Sequence, residues 1–557
     1  MVVLRQPCRG RESGLAGMLH IKNPNGRLLT LIFCIGLIWG LLPGDAASER
    51  SSNVINLGRT NPPNRHVVRV ATEEELKQLV LPLPSFPDLR SYTDKAVYAK
   101  IKTTPQGRGV IRRMVDLFSL NGFTQDGRLV EWVTRQEANP VAIVIEQGYM
   151  TPGHLTKMLS SKYIEQTAPG LFILRVPLVV SAGATFHLDA MVKEFRFSEE
   201  RGAFLVNDGL LFITDTAVTG WREKENAPAR FRREGAFRPF IVSWGGAQLY
   251  ILNSIITSLG YSSTKSYGVS ISQYGTRDQE QLHRSPPTGW LINSTFRDNW
   301  FGFYSYEAED VVILGNSFVE NIYYGIDPYH LSRRLIIANN VTMATKIRHG
   351  IILSDGVHDS WIVGNISHHN HGAGIVIDHN SMNNLISKNK MYENEGDGIS
   401  IFESANNLLF KNDVSSNARH GIRVRNSIDI RMFENIISKN KQSGILGYSR
   451  HLLGLGKDVE REVKPDSYTE QFSVVVVGGQ LIHNGGTIML DRPLRAQLYR
   501  IDFVTPFVKR GIRMSGTLGE YQSQLLDILI RQRAAAIIEP ASPPPNQRMT
   551  LPGKKNS

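Results

Sequence analysis

The 557-residue sequence holds only two cysteines, Cys8 and Cys34. Both lie in or before the first apolar run, so a chain processed after that run has none. This excludes a disulfide framework and a thiolate metal site. Membrane-length hydrophobic runs are scarce too. The run from Leu28 to Leu42 has 15 residues, short of the roughly 20 that a spanning helix needs. Arg5, Arg9, Arg11, Lys22 and Arg27 precede it, and Pro43-Gly44-Asp45-Ala46-Ala47 follows it. Residues 1–47 therefore read as a secretory signal cleaved near Ala46 or Ala47, the alternative being an uncleaved anchor. No basic amphipathic helix or recognised nucleic-acid motif accompanies the positive charge, which argues against a nucleic-acid partner.

What is present is a basic, glycine-rich chain. The net charge is +12 with 49 Gly. Removing a leader with five Lys/Arg and two acids leaves +9, which suits an exported protein that attracts a polyanion. Residues 48–67, with Asn61-Pro62-Pro63, read as a linker, and 68–200 as an N-terminal cap. Within the cap, Glu73 to Leu79 and Val110 to Leu120 look helical, and Leu171 to Val180 looks like strand.

From about residue 200 the text becomes short β-branched runs punctuated by Gly, Asn and Asp. Glycines recur at Gly302, Gly325, Gly350, Gly374, Gly398, Gly421 and Gly444, at intervals of 23 to 25 residues. Asparagines recur in step at Asn316, Asn340, Asn365, Asn389, Asn412 and Asn435. All but one are followed five residues later by another Asn; Thr345 is the exception. A period near 24 built from short β-runs and corner residues means one solenoid turn per repeat. The Leu-x-x-Leu-x-Leu ladder of leucine-rich repeats is missing, and so are the Ala/Leu-rich pairs of helical repeats. The expected fold is all-β, a right-handed parallel β-helix over residues 201–450. Stacked Asn side chains share amide hydrogen bonds along such a column, so these asparagines read as structural. Residues 451–540 lose the period and read as a C-terminal cap containing an amphipathic helix from Glu520 to Ile538. Residues 541–557, with Pro543-Pro544-Pro545, read as a disordered tail.

Register decides which residues face out. Positions one and three after each repeat glycine are mostly apolar and point to the core. Positions two, four and five collect Tyr304, Asp327, Tyr306, Tyr329, His330, Asp355, Asp378, His379, Phe402 and Arg425 on one strip. Aromatic rings for stacking on sugar faces, with charges and donors between them, suit a linear acidic polysaccharide. Asp355 and Asp378 lie on neighbouring coils, close enough in sequence terms to form an acid/base carboxylate pair. His368, His369 and His371 read as exposed turn residues, and no metal site is expected.

Five stretches carry a family resemblance: Thr219-Gly220-Trp221-Arg222-Glu223-Lys224, Ser266 to Tyr274, Tyr324-Gly325-Ile326-Asp327-Pro328, His420 to Ser427, and Val476-Val477-Gly478-Gly479. They resemble the periplasmic mannuronan C5-epimerases of alginate biosynthesis, and the likeness extends from about residue 80 to 540. It implies a periplasmic β-helix that converts mannuronate to guluronate within the polymer, without a cofactor, and that belongs to an envelope-spanning alginate assembly and export complex. The family motif is Asp-Pro-His-Asp, with the His as base and an Arg one coil later holding the carboxylate. Asp327 and Pro328 match it. Tyr329 stands at the His position, His330 at the second Asp, and Asp355 at the Arg. The resemblance thus gives Asp327, Tyr329 and His330 as catalytic residues. Arg348, His349, Asp355, Asp378, His379, Tyr306, Phe402 and Arg425 are expected to bind substrate, with Arg348, Arg333 or Arg334 supplying the missing positive charge. The alternatives to epimerisation are a non-catalytic polyuronate-binding scaffold of the export complex and a polyuronate lyase.

Overall fold

The computed structural model describes residues 18–22, 28–32, 66–80, 84–117, 120, 139–263, 265–275, 282–452, 468–505 and 511–542. Most of the expected signal segment and linker, and the expected tail beyond residue 542, lie outside these residues. Met18–Lys22 and Leu28–Ile32 pair as an antiparallel hairpin in a unit of their own. No helix among the described residues is long and apolar enough to cross a membrane.

The main unit is a parallel β-helix. Each coil contributes a strand to each of three ladders, and every ladder pairs strand to strand in parallel along the rod. One coil, for example, runs Tyr324–Tyr329, Ile336–Ala338 and Val341–Met343. The strands are short because a corner interrupts the chain every few residues. At the corners the backbone turns left-handed without glycine: Asn339 (φ 54), Ala344 (φ 56) and Asp355 (φ 61) belong to the three corner positions. An L residue in that region costs about 1 kcal/mol or more, so the corners need compensating bonds.

The asparagine ladders supply them. Asn389 is fully buried; its Oδ1 accepts from the backbone N and the Nδ2 of Asn365 (2.9 and 3.0 Å), and its Nδ2 donates to Ile362 O and Asn412 Oδ1 (2.8 and 3.0 Å). The same pattern continues coil to coil, so each left-handed corner is tied to the next. Thr345 interrupts the second ladder: its N–H still donates to Asn370 Oδ1, but its own Oγ1 is buried without a partner. The repeat glycines are required by close approach, since a Cβ on Gly325 would collide with the carbonyl oxygen of Gly350.

The coils extend beyond residues 201–450, where the glycine period is legible. Leu171–Leu174 already pairs in parallel with Glu194–Ser198, and Gly486–Asp491 still pairs with Met514–Gly516. Two local expectations are corrected. The stretch from Val110 does not begin as a helix: Arg108–Arg113 is a strand that pairs with Val141–Met150, because Val110 and Ile111 find partners on that edge, and only a short 3-10 turn follows at Met114–Asp116. The helical stretch near the C-terminus ends at Arg531, and Ala536–Pro540 forms a strand antiparallel to Arg495–Tyr499 and to His66–Val70. Burying Ala536, Ile537 and Ile538 there closes a sheet edge that a continued helix would leave open. Part of the segment expected as the N-terminal cap forms a strap after His66–Val70. It runs back along the outside of one ladder, where Leu89 and Tyr92 pack on Trp290, Val312 and Ile336, and Val97 packs on Phe212 and Tyr250.

Candidate active site

The strip read from the sequence is the outer face of one ladder, and register fixes its columns. Ser270, Tyr304 and Asp327 form one column, and Ser272, Tyr306 and Tyr329 another, which a bridge continues to Ser354. The corner beyond the second column carries Glu307, His330, Asp355, His379 and Glu403, all left-handed, with φ between 40 and 61. In that corner side chains able to titrate stand where the other two carry continuous asparagine columns, and buried asparagines enter it only in later coils, at Asn384, Asn407 and Asn426. The left-handed backbone is shared by all three corners; what sets this one apart is the run of titratable side chains on consecutive coils.

At the centre Asp327 is almost fully buried, and its Oδ1 has no hydrogen-bond partner. Burial, and then the charge of Asp378, raise its pKa well above the usual carboxylate value, favouring the protonated acid. Tyr304 and Tyr324 flank it. Burial first, then nearby groups that include Asp327, pushes both phenols well up, so they stay O–H donors. His349 stacks on Tyr324 (centroids 5.8 Å). Burial, then Arg348, lowers its pKa to about 4, and its Nδ1 accepts from Ala373 N at 2.9 Å. The ring is therefore neutral, with its proton on Nε2.

One step along, Asp355 organises the corner. Its Oδ2 lies 2.7 Å from His330 Nδ1, and Tyr329 also hydrogen-bonds its carboxylate. The His330 bond is the largest cause that holds the Asp355 pKa below the ordinary value. His330 Nε2 stands 3.6 Å from Glu307, and its ring stacks on Tyr306 at 4.7 Å. Tyr329, Asp355 and His330 thus form one connected group, in which Asp355 orients an imidazole and a phenol together.

Several expected residues behave differently. The carboxylate that Asp378 influences is Asp327, not Asp355, because register stacks Asp355 toward His379 and Asp378 beneath Ser354. Asp378 is half-buried, and desolvation would raise its pKa, but the bonds from His379 and Ser354 and the charge of His379 outweigh this and keep it ionised. Phe402 lies two coils on, with the guanidiniums of Arg423 and Arg425 over its ring (4.7 and 4.3 Å), and Arg425 grips Glu403 through two bonds of 2.7 and 2.9 Å. Arg333 and Arg334 are held by Glu309 and Asp310. Arg348 rests against Tyr323, its Nε 3.3 Å from the phenol oxygen. His369 and His371 each meet a carboxylate on the next coil, Glu393 and Glu395. No group of three or more possible metal ligands occurs among the described residues. Sequence reasoning placed Glu307 in the outer strip without giving it a role, and passed over Tyr324 and Lys265 as site residues. The first two sit in the repeat columns and were within reach of the periodicity. Lys265 sits in an irregular corner where no period marks it.

Comparison with known proteins identifies the fold and the family. A family model described as periplasmic copper-binding protein (NosD) matches residues 254–450, the regular coils. The mannuronan C5-epimerase AlgG of Azotobacter vinelandii is 47% identical over 471 residues, covering 84% of this chain and 89% of that protein. A mannuronan C5-epimerase of Pseudomonas putida is 44% identical over 467 residues, with the same shares of each chain. A crystal structure of the periplasmic alginate epimerase AlgG matches with a TM-score of 0.74 at 41% identity, covering 76% of this chain and 100% of its own. With identity this high across most of both chains, and with the outer-face cluster in place, the chain belongs to the mannuronan C5-epimerase family.

Proposed function

We propose that the protein acts in the periplasm as an isomerase that converts β-D-mannuronate to α-L-guluronate residues within polymeric alginate, without a cofactor. The polymer lies along the outer columns, where the coil spacing of about 4.8 Å offers roughly one subsite per sugar. The carrying observation is the pairing of a neutral donor cluster, Asp327 with Tyr304 and Tyr324, with the Tyr329–Asp355–His330 group beside it.

The donor cluster takes the uronate carboxylate. Asp327 in its protonated form and the two phenols hydrogen-bond its oxygens and stabilise the negative charge that develops there when C5 loses its proton. His330, oriented through Nδ1 by Asp355, accepts that proton on Nε2 while the bonding pair moves into the carboxylate-stabilised enediolate. The Tyr329 phenol delivers a proton to the opposite face of C5, and a new C–H bond forms with inverted configuration. His330 and Tyr329 are both half-buried, so solvent returns the imidazolium and the tyrosinate to their starting states. Tyr329 and His330 thereby divide between them the work that the family motif gives to its His, and the neutral donors replace the Arg that Asp355 displaces.

The test is to incubate the purified protein with polymannuronate in heavy water and follow deuterium at C5 by NMR. Label with inversion is the expected result. Absence of label under every condition refutes catalysis and leaves only binding, and an unsaturated, ultraviolet-absorbing product would mean β-elimination. We also propose that the rod works within an envelope-spanning export assembly, a reading supported by its net positive charge and its open, polymer-length face.

A further inference from the structure

Two coils before Asp327, the strand Gly268–Ser272 presents only Ser270 and Ser272 to the outer face. Both small side chains are fully covered, and Lys265 packs beside them from the adjoining corner. Its backbone is left-handed (φ 56), and Ser270 Oγ donates to its carbonyl oxygen at 2.9 Å, which fixes the direction in which the side chain leaves. The ammonium sits over the rings of Trp244 (4.7 Å) and Tyr306 (4.0 Å) and donates one hydrogen bond to Gln273 O at 3.0 Å. Two aromatic faces hold the cation by its charge and strip it of water, while one carbonyl engages one of three N–H groups.

We propose that Lys265 is a specificity-determining residue that binds the carboxylate of a uronate about two sugars from the reacting one. This rests on the epimerase reading above. The Tyr306 ring that carries the ammonium also stacks on His330, so the cation and the base share one wall of the same face. Arg333 and Arg334, two coils on, and Arg423 and Arg425, six coils on, are ion-paired to carboxylates. The nearest acid to Lys265 acts on it at longer range: Glu307, which also faces His330. Burial lowers the lysine pKa to about 8, with Glu307 opposing. A cation desolvated in this way gains more than a surface lysine from an incoming carboxylate. The ligand class follows: a polymer with a carboxylate on every sugar is gripped here, and a neutral polysaccharide of the same shape is not.

The test compares wild type, K265M and K265R. Affinity for polymannuronate is measured by calorimetry, and epimerisation kinetics on polymer and on a mannuronate dimer too short to span both coils. Lys265→Met is expected to weaken polymer binding and raise KM about tenfold, the size of one charge-assisted bond. The effect on kcat is expected to be much smaller, the dimer to behave as with wild type, and K265R to recover most of the affinity. Raising the pH through 8 should weaken polymer binding to wild type but not to K265R. Unchanged affinity in K265M overturns the proposal. An equal loss on polymer and dimer, or a lowered melting temperature with no rescue by Arg, assigns the residue to folding and overturns it too. If wild type binds polymer without turnover, the epimerase reading fails while the affinity ratio still decides this one.

Discussion

Replacing Asp355 separates two accounts of the same position. By resemblance an arginine belongs there, so restoring it should help catalysis. By geometry the carboxylate is the partner of His330, and D355R should harm it. The His330 Nδ1 to Asp355 Oδ2 bond is 2.7 Å, and the Asp355 side chain is 34% exposed. A hydrogen bond to a charged group contributes about 1.5–3 kcal/mol, and partial exposure reduces that to about 1–2 kcal/mol. When His330 takes the C5 proton, that stabilisation supports the imidazolium in the transition state. Asp355→Asn keeps the shape without the charge and should slow epimerisation about 5- to 30-fold. D355R adds repulsion to the loss and should slow it about 10² to 10³-fold, within the span a general base contributes. Initial rates of deuterium entry at C5 measure both, with circular dichroism to confirm folding. The reasoning is refuted if D355R is as active as wild type or more so. The triple change Y329H, H330D and D355R, which rebuilds the family motif, should recover activity that D355R alone loses.

Two further outcomes follow from buried groups. Asn389→Ala should destabilise the rod by about 3–5 kcal/mol, because it deletes four side-chain hydrogen bonds and leaves Asn365 N and Ile362 O without those partners; urea unfolding should show a lower midpoint with an unchanged slope. Asp327 has a raised pKa in the fold, so the native state holds its proton more tightly than the unfolded chain does, and folding stability from this group is lost as pH rises above the unfolded value near 3.9. Asp327→Asn should therefore raise the melting temperature at pH 7, flatten its decline with pH, and still abolish most of the epimerisation; a lower melting temperature would contradict the assigned protonation.

The sequence by itself determined the coil. A glycine and an asparagine at each 23- to 25-residue interval, with apolar residues between, leave few folds available. The reason is local: close approach demands glycine, and a buried left-handed corner demands an amide that can serve the next coil. The same periodicity placed Asp327, Tyr329, His330 and Asp355 on one face. It failed at both ends, where Val110 and Ile537 pair with strands far away in the chain. It also failed for Lys265, whose partners Trp244 and Tyr306 are brought to it by stacking of irregular length. Only the tertiary structure decided what each polar residue does. Column membership says which side chains are neighbours, but burial keeps the proton on Asp327, while bonds from His379 and Ser354 overcome burial and keep Asp378 ionised. The corner backbone decides that Asp355, in the place of a cation, instead holds His330. Those outcomes depend on desolvation and on distances between coils, quantities that exist only once the coils are stacked.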